Sequence, residues 1–185
     1  VLYLDNHLLV AVKPANLPAQ ADSSGDDDLL SILKRYIGEH FNKPGNVYLG
    51  LVHRLDRPVG GVMVFARTSK AAARLSETFA RHAQDRRYLA VLQGELTGAR
   101  TLEDDLLKDG RTGMVRAVRP GTPGAKHARL DTRPLAVRDG RTLAEVRLYT
   151  GRSHQIRVQH AHAGFPLWGD ARYGGGRPGQ QIALW

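Results

Sequence analysis

The chain has 185 residues, of which 42% are hydrophobic, and its formal net charge is +9 at pH 7 with a sequence pI of about 10.2. This length suits a single domain, the excess of cations favours a polyanionic partner such as nucleic acid, and no apolar run approaches the roughly 20 residues of a membrane span. The lack of cysteine excludes disulfides and zinc sites built on sulfur and, with no signal segment at the start, predicts a cytoplasmic protein.

The first third of the chain predicts a strand, a helix and a strand pair, in that order. "HLLVAV" (7–12) has the pattern of a short strand that Lys13 and Pro14 end, and the aspartates of "DDDLLSILKRYIGEH" (26–40) precede a helix. The helix residues expected in the core are Leu29, Leu30, Leu33 and Ile37. "LVHRLDRPVGGVMVFA" (51–66) then predicts a strand, a tight Pro/Gly loop and a second strand, with Asp56 at the turn.

A second helix and an alternating strand follow. "TSKAAARLSETFARHA" (68–83) predicts a helix that Thr68 or Ser69 caps. Its inward residues are Ala72, Leu75, Phe79 and Ala83, and its outer face carries the cations Lys70, Arg74 and Arg81. "RRYLAVLQGE" (86–95) alternates as a strand, so that Tyr88 shares one face with Ala90 and Leu92.

The remainder of the chain predicts a loop, a hairpin and a helix. Residues 97–127 are rich in Gly, Thr, Arg and Lys and are interpreted mostly as loop. "RDGR" (138–141) joins two alternating segments in a hairpin whose first strand, because of Pro134, lies at an edge or contains a bulge. "GRSHQIRVQHAHAG" (151–164) predicts a helix that Ser153 caps, with Ser153 and Arg157 on one face. The predicted class is α+β, with a mixed, mostly antiparallel sheet and flanking helices.

One carboxylate has an unusually basic setting. Asp56 lies between Arg54 and Arg57, and residues 54–87 contain eight Lys or Arg against three acids. Nearby positive charge favours the ionised form of a carboxyl group. Asp56 is therefore interpreted as a nucleophile or base rather than an acid.

Three long stretches and the opening of the chain carry a family resemblance. The stretches are "HRLDRPVGGVMVFARTSKAAARL" (53–75), "RRYLAVLQGEL" (86–96) and "TGRSHQIRVQHAHAGFPLWGDARYGG" (150–175), and the opening is "LYLDNHLLVAVKPANLPAQ" (2–20). In this order and spacing they resemble the RluA-type family of RNA pseudouridine synthases. The resemblance spans nearly the whole chain and implies the catalytic fold of that family.

The resemblance also implies a reaction and three catalytic residues. In the family, uridine in structured RNA is detached from its ribose at N1 and rejoined through C5, without a cofactor or metal. Asp56 corresponds to the nucleophile, which acts either on the sugar or on the base. Tyr88 would stack against the target uracil and is placed to help move the C5 proton. Arg157 would form an ion pair with Asp56.

Six residues are expected to contact RNA: Arg54, Arg57, Lys70, Arg74, Arg152 and His154. The resemblance assigns Arg54 to the space that the uridine leaves when it is flipped out of the RNA, a step that costs a few kcal/mol. Arg57 is expected to contact phosphate or to lie in solvent. Ribosomal RNA is favoured over transfer RNA as the substrate, and the protein is expected to be a monomer.

Two alternatives accompany this interpretation. A noncatalytic RNA-binding or RNA-folding module would keep the fold and the basic face, but the presence of all three candidate catalytic residues disfavours it. His154, His160 and His162 do not favour a metal site, because the last two lie on different faces of a helix. Residues 1–185 are expected to form a single catalytic domain, trimmed at both ends, that no RNA-binding domain of the S4 type precedes.

Overall fold

The computed structural model describes residues 1–42, 44–81 and 85–185 of the chain. The fold comprises two compact units, Val1–Gln84 (unit 1) and Asp85–Trp185 (unit 2), and each contains one antiparallel sheet. The predicted α+β class is thereby confirmed, with two sheets in place of one. The single-domain interpretation stays a prediction. Among the described helices, none combines the length and the apolar composition that a membrane crossing requires.

Unit 1 has a four-stranded sheet and two helices. The strands are β1 (Tyr3–Leu4), β2 (Leu8–Lys13), β3 (Gly50–Leu51) and β4 (Gly61–Ala66), in the order β1-β2-β4-β3, and the helices are α1 (Leu29–His40) and α2 (Ser69–Ala80). Leu9, Met63 and Phe65 are fully buried on the sheet. The expected core face of α1 is confirmed at Leu29, Leu33 and Ile37, whereas Leu30 is only partly buried.

The helix α2 lies closer to the surface than its sequence predicts. It begins after Thr68, whose hydroxyl accepts the backbone N–H of Ala71 at 3.1 Å, so Thr68 rather than Ser69 is the cap. The apolar residues Ala72, Leu75 and Phe79 are half-buried, and none of residues 69–80 is fully buried. The expectation for Ala83 lies outside the described residues.

Unit 2 has a five-stranded sheet with one helix. The strands are β5 (Arg86–Gln93), β6 (Arg100–Lys108), β7 (Val115–Val118), β8 (Lys126–Arg138) and β9 (Arg141–Leu148), in the order β5-β9-β8-β6-β7, and α3 (Gln155–His162) packs against β6 and β7. The hairpin of β8 and β9 is confirmed, with Asp139 and Gly140 at φ 51° and 68° in its turn. These left-handed values match the twist of a tight primed turn.

Two features of β6 and β8 depend on long-range pairing. The prediction of loop for residues 97–127 is wrong where β6 and β7 form, because β6 pairs with β8 on one side and β7 on the other. The charged residues of β6 lie on a half-exposed strand, so the local composition of β6 resembles that of a loop. Pro134 lies beyond the last β6 pair at Thr132, next to a bulge, which agrees with its expected position.

The start of α3 differs from its prediction. The helix begins at Gln155 after His154, which is left-handed at φ 52° and forms no side-chain capping bond, so the prediction of Ser153 as the cap is wrong. The side chain of Gln155 instead accepts the backbone N–H of Arg152 at 3.0 Å and the hydroxyl of Thr150 at 2.8 Å. Ser153 therefore precedes the helix and shares no helical face with Arg157.

Candidate functional site

Asp56 of unit 1 begins a tight turn in the loop between β3 and β4. Its carbonyl oxygen accepts the backbone N–H of Val59 at 3.0 Å, so that Arg57 and Pro58 occupy the two central positions. The side chain of Asp56 is half-buried. The turn that the Pro/Gly pattern predicts therefore holds the backbone of this carboxylate in a defined conformation.

Lys13 anchors this turn from the end of β2. The residue is completely buried, and its Nζ donates to the carbonyl oxygens of Pro14, Leu17 and Arg57 at 3.0, 2.7 and 3.1 Å. Burial lowers the pKa of Lys13 from 10.5 to about 8, although the charge of Asp56 acts to raise it. A buried cation beside the candidate nucleophile is a contribution that sequence reasoning missed. The sequence pattern identifies Lys13 only as the end of a strand.

Arg57 holds the same turn from its exposed side. Its guanidinium donates to the Ser24 hydroxyl at 3.0 Å, binds the carboxylate of Asp26, and lies 3.7 Å from that of Asp22. The hydrogen bond that Arg57 donates to Asp26 raises the pKa of Arg57 and lowers the pKa of Asp26. Its expected contact with RNA stays a prediction.

His53 links the loop to β4 and α2. The backbone N–H of Val64 donates to Nε2 of His53 at 3.0 Å, so Nε2 is the acceptor nitrogen and the proton of a neutral ring is on Nδ1. The imidazole also stacks on Phe79, with ring centroids 4.6 Å apart. Because β3 ends at Leu51, this side chain satisfies a strand N–H that lies beyond the β3 pairing. Sequence reasoning gave His53 no role.

The other expected RNA contacts of unit 1 lie on its surface. Arg54 is exposed beside the Asp56 turn, and Lys70 and Arg74 are exposed on α2, one helical turn apart. Arg81 forms an ion pair with Glu77 on the same helix. These positions are compatible with phosphate contacts, and the contacts themselves stay predictions.

Tyr88 of unit 2 lies in β5 opposite Val146 of β9. Its side chain is half-buried, and the predicted alternation holds, since Ala90 is buried and Leu89 is exposed. Burial lowers the pKa of the neighbouring Arg86, while Tyr88 acts to raise it. β5, the outermost strand of the five-stranded sheet, thus presents an aromatic ring at the half-exposed end of a buried face.

Arg157 is fixed by a buried carboxylate. Its Nε and Nη2 donate to Oδ2 and Oδ1 of Asp170, each at 2.8 Å, and both side chains are almost completely buried. Burial acts to raise the pKa of Asp170, but the hydrogen bonds and charge of Arg157, with the N–H groups of Arg172 and Tyr173, bring the pKa below its ordinary value. The expected ion pair of Arg157 with Asp56 stays a prediction.

Asp170 is a further residue that sequence reasoning missed. It is the only carboxylate in residues 146–185, a segment that contains several arginines. A lone acid in a cationic stretch indicates a local partner, and this signal could have identified it. The ring of Tyr173 lies 5.1 Å from the Arg157 guanidinium, so Asp170 and Tyr173 together orient that side chain.

Arg152 and His154 lie on the segment that leads into α3. Nε of Arg152 donates to the carbonyl oxygen of His127 at 2.8 Å, and Nδ1 of His154 is hydrogen-bonded to the Tyr173 hydroxyl at 2.7 Å. The Tyr173 hydroxyl also accepts the N–H of Val115 at 3.0 Å. Both expected RNA-binding residues are thus held in fixed orientations by unit 2.

The two histidines of α3 have separate environments. His160 is buried between the carbonyl of Ile156 and the hydroxyl of Thr132, and burial lowers its pKa to about 4. Nδ1 of His162 is 2.8 Å from a carboxylate oxygen of Asp104. The separation onto different helix faces follows the sequence interpretation, and each side chain has a structural partner.

Comparisons with known proteins place these features in context. The family model described as RNA pseudouridylate synthase matches residues 7–162. The chain is 39% identical to the ribosomal large subunit pseudouridine synthase D of Xanthomonas campestris pv. campestris, over 95% of this chain and 51% of that protein. It is 34% identical to an uncharacterized RNA pseudouridine synthase of Bacillus subtilis, over 95% of this chain and 58% of the relative.

A solved structure resembles the fold more broadly. The structure titled human RNA pseudouridylate synthase domain containing 4 has a TM-score of 0.79 and 24% identity, covering 94% of this chain and 68% of that one. At this identity the likeness concerns the fold alone. The chain spans about half the length of the curated relatives that it matches.

Proposed function

Because the chain belongs to the RNA pseudouridylate synthase family, we propose that it catalyses the isomerisation of uridine to pseudouridine in RNA. This membership confirms the RluA-type family that the sequence motifs predict. The observation that carries the proposal is the family match over residues 7–162, which includes Asp56, Tyr88 and Arg157. The relatives named for the large ribosomal subunit support ribosomal RNA as the substrate.

The proposed reaction breaks the bond between N1 of uracil and C1′ of ribose and joins C1′ to C5. C5 then loses its proton, and N1 gains one. Asp56 is the proposed nucleophile, and attack on either the sugar or the base is compatible with a carboxylate in this position. The tight turn and the Lys13 anchor support the proposal, since an ordered carboxylate needs less reorganisation on reaction.

Tyr88 and Arg157 have supporting roles in the proposal. The phenol ring of Tyr88 would stack against the flipped uracil, and its strand position is a rigid base for that contact. Arg157 would pair with Asp56, while Asp170 holds Nε and Nη2 of the same guanidinium. A planar guanidinium can serve two carboxylates in this way because it has five N–H donors.

The RNA-binding residues complete the proposal. Arg54 would occupy the space of the flipped uridine, because an exposed guanidinium beside the turn can stack on bases as well as contact phosphate. The bacterial relatives named for the large ribosomal subunit support a cytoplasmic location. Action as a monomer stays a prediction.

Release of tritium tests the proposal directly. Ribosomal RNA labelled with tritium at C5 of uridine and lacking pseudouridine is incubated with the protein, with its Asp56→Asn variant, and with Asp139→Asn as a control at an exposed turn. Release by the protein and the control, but not by Asp56→Asn, is the expected result. If the unaltered protein binds this RNA without releasing tritium, a noncatalytic RNA-binding module is the better description.

A further inference from the structure

A basic cavity of about 350 Å³ lies in unit 2 at the β6–β7 end of the sheet. Its lining includes the apolar side chains of Leu106 and Val115, both buried, which form a hydrophobic core cluster below it. The other lining residues that matter here are the cations Lys108, Lys126 and Arg152 and the hydroxyl residue Ser153. The volume falls in the usual range of roughly 300–1,000 Å³ for small-ligand sites.

Strand pairing brings the two lysines together. Lys126 of β8 is directly opposite Leu106 of β6, and Lys108 follows two residues later on β6. Alternate residues of a strand share a face, so the two lysines are diagonal neighbours, with backbones about 7–8 Å apart. They are also the only two lysines in residues 85–185. One anion between them can therefore contact both ammonium groups.

Arg152 adds a third cation from the segment before α3. The bond from its Nε to the carbonyl of His127 fixes the guanidinium, and the bond from its backbone N–H to Gln155 fixes the main chain. The same segment contains His154, whose partner Tyr173 binds the N–H of Val115 in the cavity lining. The cavity is thus built on the rigid elements that also carry Arg157.

The charges of this cavity are unbalanced. None of the described residues that line it is acidic. The nearby carboxylates have other contacts, because Asp105 lies 3.8 Å from His127 and Asp109 accepts two N–H groups of its own turn. A second surface cavity of unit 2 also contains arginines, but Asp131 and Glu145 line it as well. Of these two cavities, only the first is lined by cations without an acid, a composition that favours an anionic ligand.

We infer that this basic cavity binds a phosphate group of the RNA backbone, held between Lys108 and Lys126 with Arg152 and Ser153 as further donors. The inference rests on the proposed function for its choice of RNA as the source of the phosphate. Ammonium groups bind phosphate as point charges, and a fixed guanidinium adds directed hydrogen bonds. The contact would position RNA against the first turn of α3.

The test measures RNA affinity across a series of salt concentrations. The probe is transcribed ribosomal RNA, and the proteins are the unaltered chain, Lys108→Gln, Lys126→Gln and the double variant. The control is Arg138→Gln with Arg177→Gln, which removes the same charge from two exposed positions of unit 2. Each phosphate contact contributes about 0.7–0.9 to the slope of log affinity against log salt.

Each single variant is expected to weaken binding. The double variant should lower the slope by about 0.7–0.9, the contribution of one phosphate contact, because the two lysines share one phosphate. The control should keep the slope of the unaltered protein. An unchanged slope in the double variant, or an equal change in the control, would overturn the inference. Because binding is measured without turnover, these outcomes are independent of the tritium-release test.

A second arm identifies the source of the phosphate. Tripolyphosphate is titrated against the unaltered protein and the double variant. If its binding depends on the two lysines while the RNA slope does not, the cavity holds free phosphate and the assignment to RNA is wrong. RNA dependence on the lysines supports the inference.

Discussion

The two units bury their principal cations in opposite ways. In unit 1, Lys13 donates to three neutral carbonyl oxygens, and burial lowers its pKa to about 8. In unit 2, Arg157 pairs with the carboxylate of Asp170, whose pKa falls below its ordinary value. Neutral acceptors offset the loss of hydration only in part, whereas a carboxylate balances charge with charge. The Lys13 anchor is therefore expected to depend on pH above about 8, whereas the Arg157 anchor keeps its charge there.

The largest effect is expected when the permanent anchor is broken. Asp170→Asn should lower the free energy of unfolding by about 3–5 kcal/mol, because the variant leaves the Arg157 guanidinium buried without its counter-charge. Urea unfolding followed by tryptophan fluorescence suits this measurement, since Trp168 and Trp185 both lie in unit 2.

The control is Asp139→Asn, which removes a carboxylate that is exposed beside Arg138. It should leave the unfolding curve nearly unchanged, because exposed ion pairs contribute little. Equal unfolding curves for the two variants would mean that burial of the Arg157–Asp170 pair does not increase its contribution to stability.

A smaller effect is expected from titration of the neutral-acceptor anchor. Between pH 8 and 10.5 the unfolded chain holds the Lys13 proton and the folded chain has lost it, so stability should rise with pH in this window. Below pH 8 both states are protonated and the cost of burying the charge is present in full. The difference between a pKa of 10.5 and about 8 corresponds to about 3 kcal/mol across the window.

Lys13→Met isolates this contribution. Urea unfolding followed by circular dichroism, at several pH values from 7.5 to 10.5, should show a shallower rise for the variant than for the unaltered protein. Lys34→Met on α1 keeps Lys13 and should retain the full rise. If the slopes of Lys13→Met and the unaltered protein coincide, the amine of Lys13 does not titrate in this window.

The smallest effect is expected at the exposed anchor of unit 1. Arg57→Gln removes contacts to Asp22 and Asp26, but water already solvates all three groups. The urea midpoint should shift less than in Asp170→Asn, and added salt should abolish the difference from the unaltered protein. A shift that persists in high salt would show that Arg57 holds the Asp56 turn by more than charge.

Local pattern was sufficient for several parts of the fold. Alternation and Asp-Gly predicted the hairpin of β8 and β9, and helical spacing predicted α1 and α2. The Pro/Gly pattern also predicted the turn at Asp56. These features depend on residues close together in the chain, so their physical causes are visible in short windows.

Other features required contacts between distant residues. β6 and β7 are strands because β8 supplies hydrogen-bond partners, although their composition resembles a loop. The left-handed His154 moved the start of α3 beyond Ser153. Leu30 lies beside the core residues of α1 in sequence, yet the packing of unit 1 leaves it only partly buried.

The sequence by itself determined the α+β class, the family, and the identity of the candidate residues Asp56, Tyr88 and Arg157. Local periodicity is sufficient for the class, and the resemblance of the motifs to a known family implies the family and these candidate residues. Only the tertiary structure decided that carbonyl oxygens surround Lys13, that Asp170 holds Arg157, and that Lys108 and Lys126 converge on one cavity. In each case one decisive partner, Arg57, Asp170 or Lys126, lies in a separate segment of the chain, and packing and strand register bring it into place.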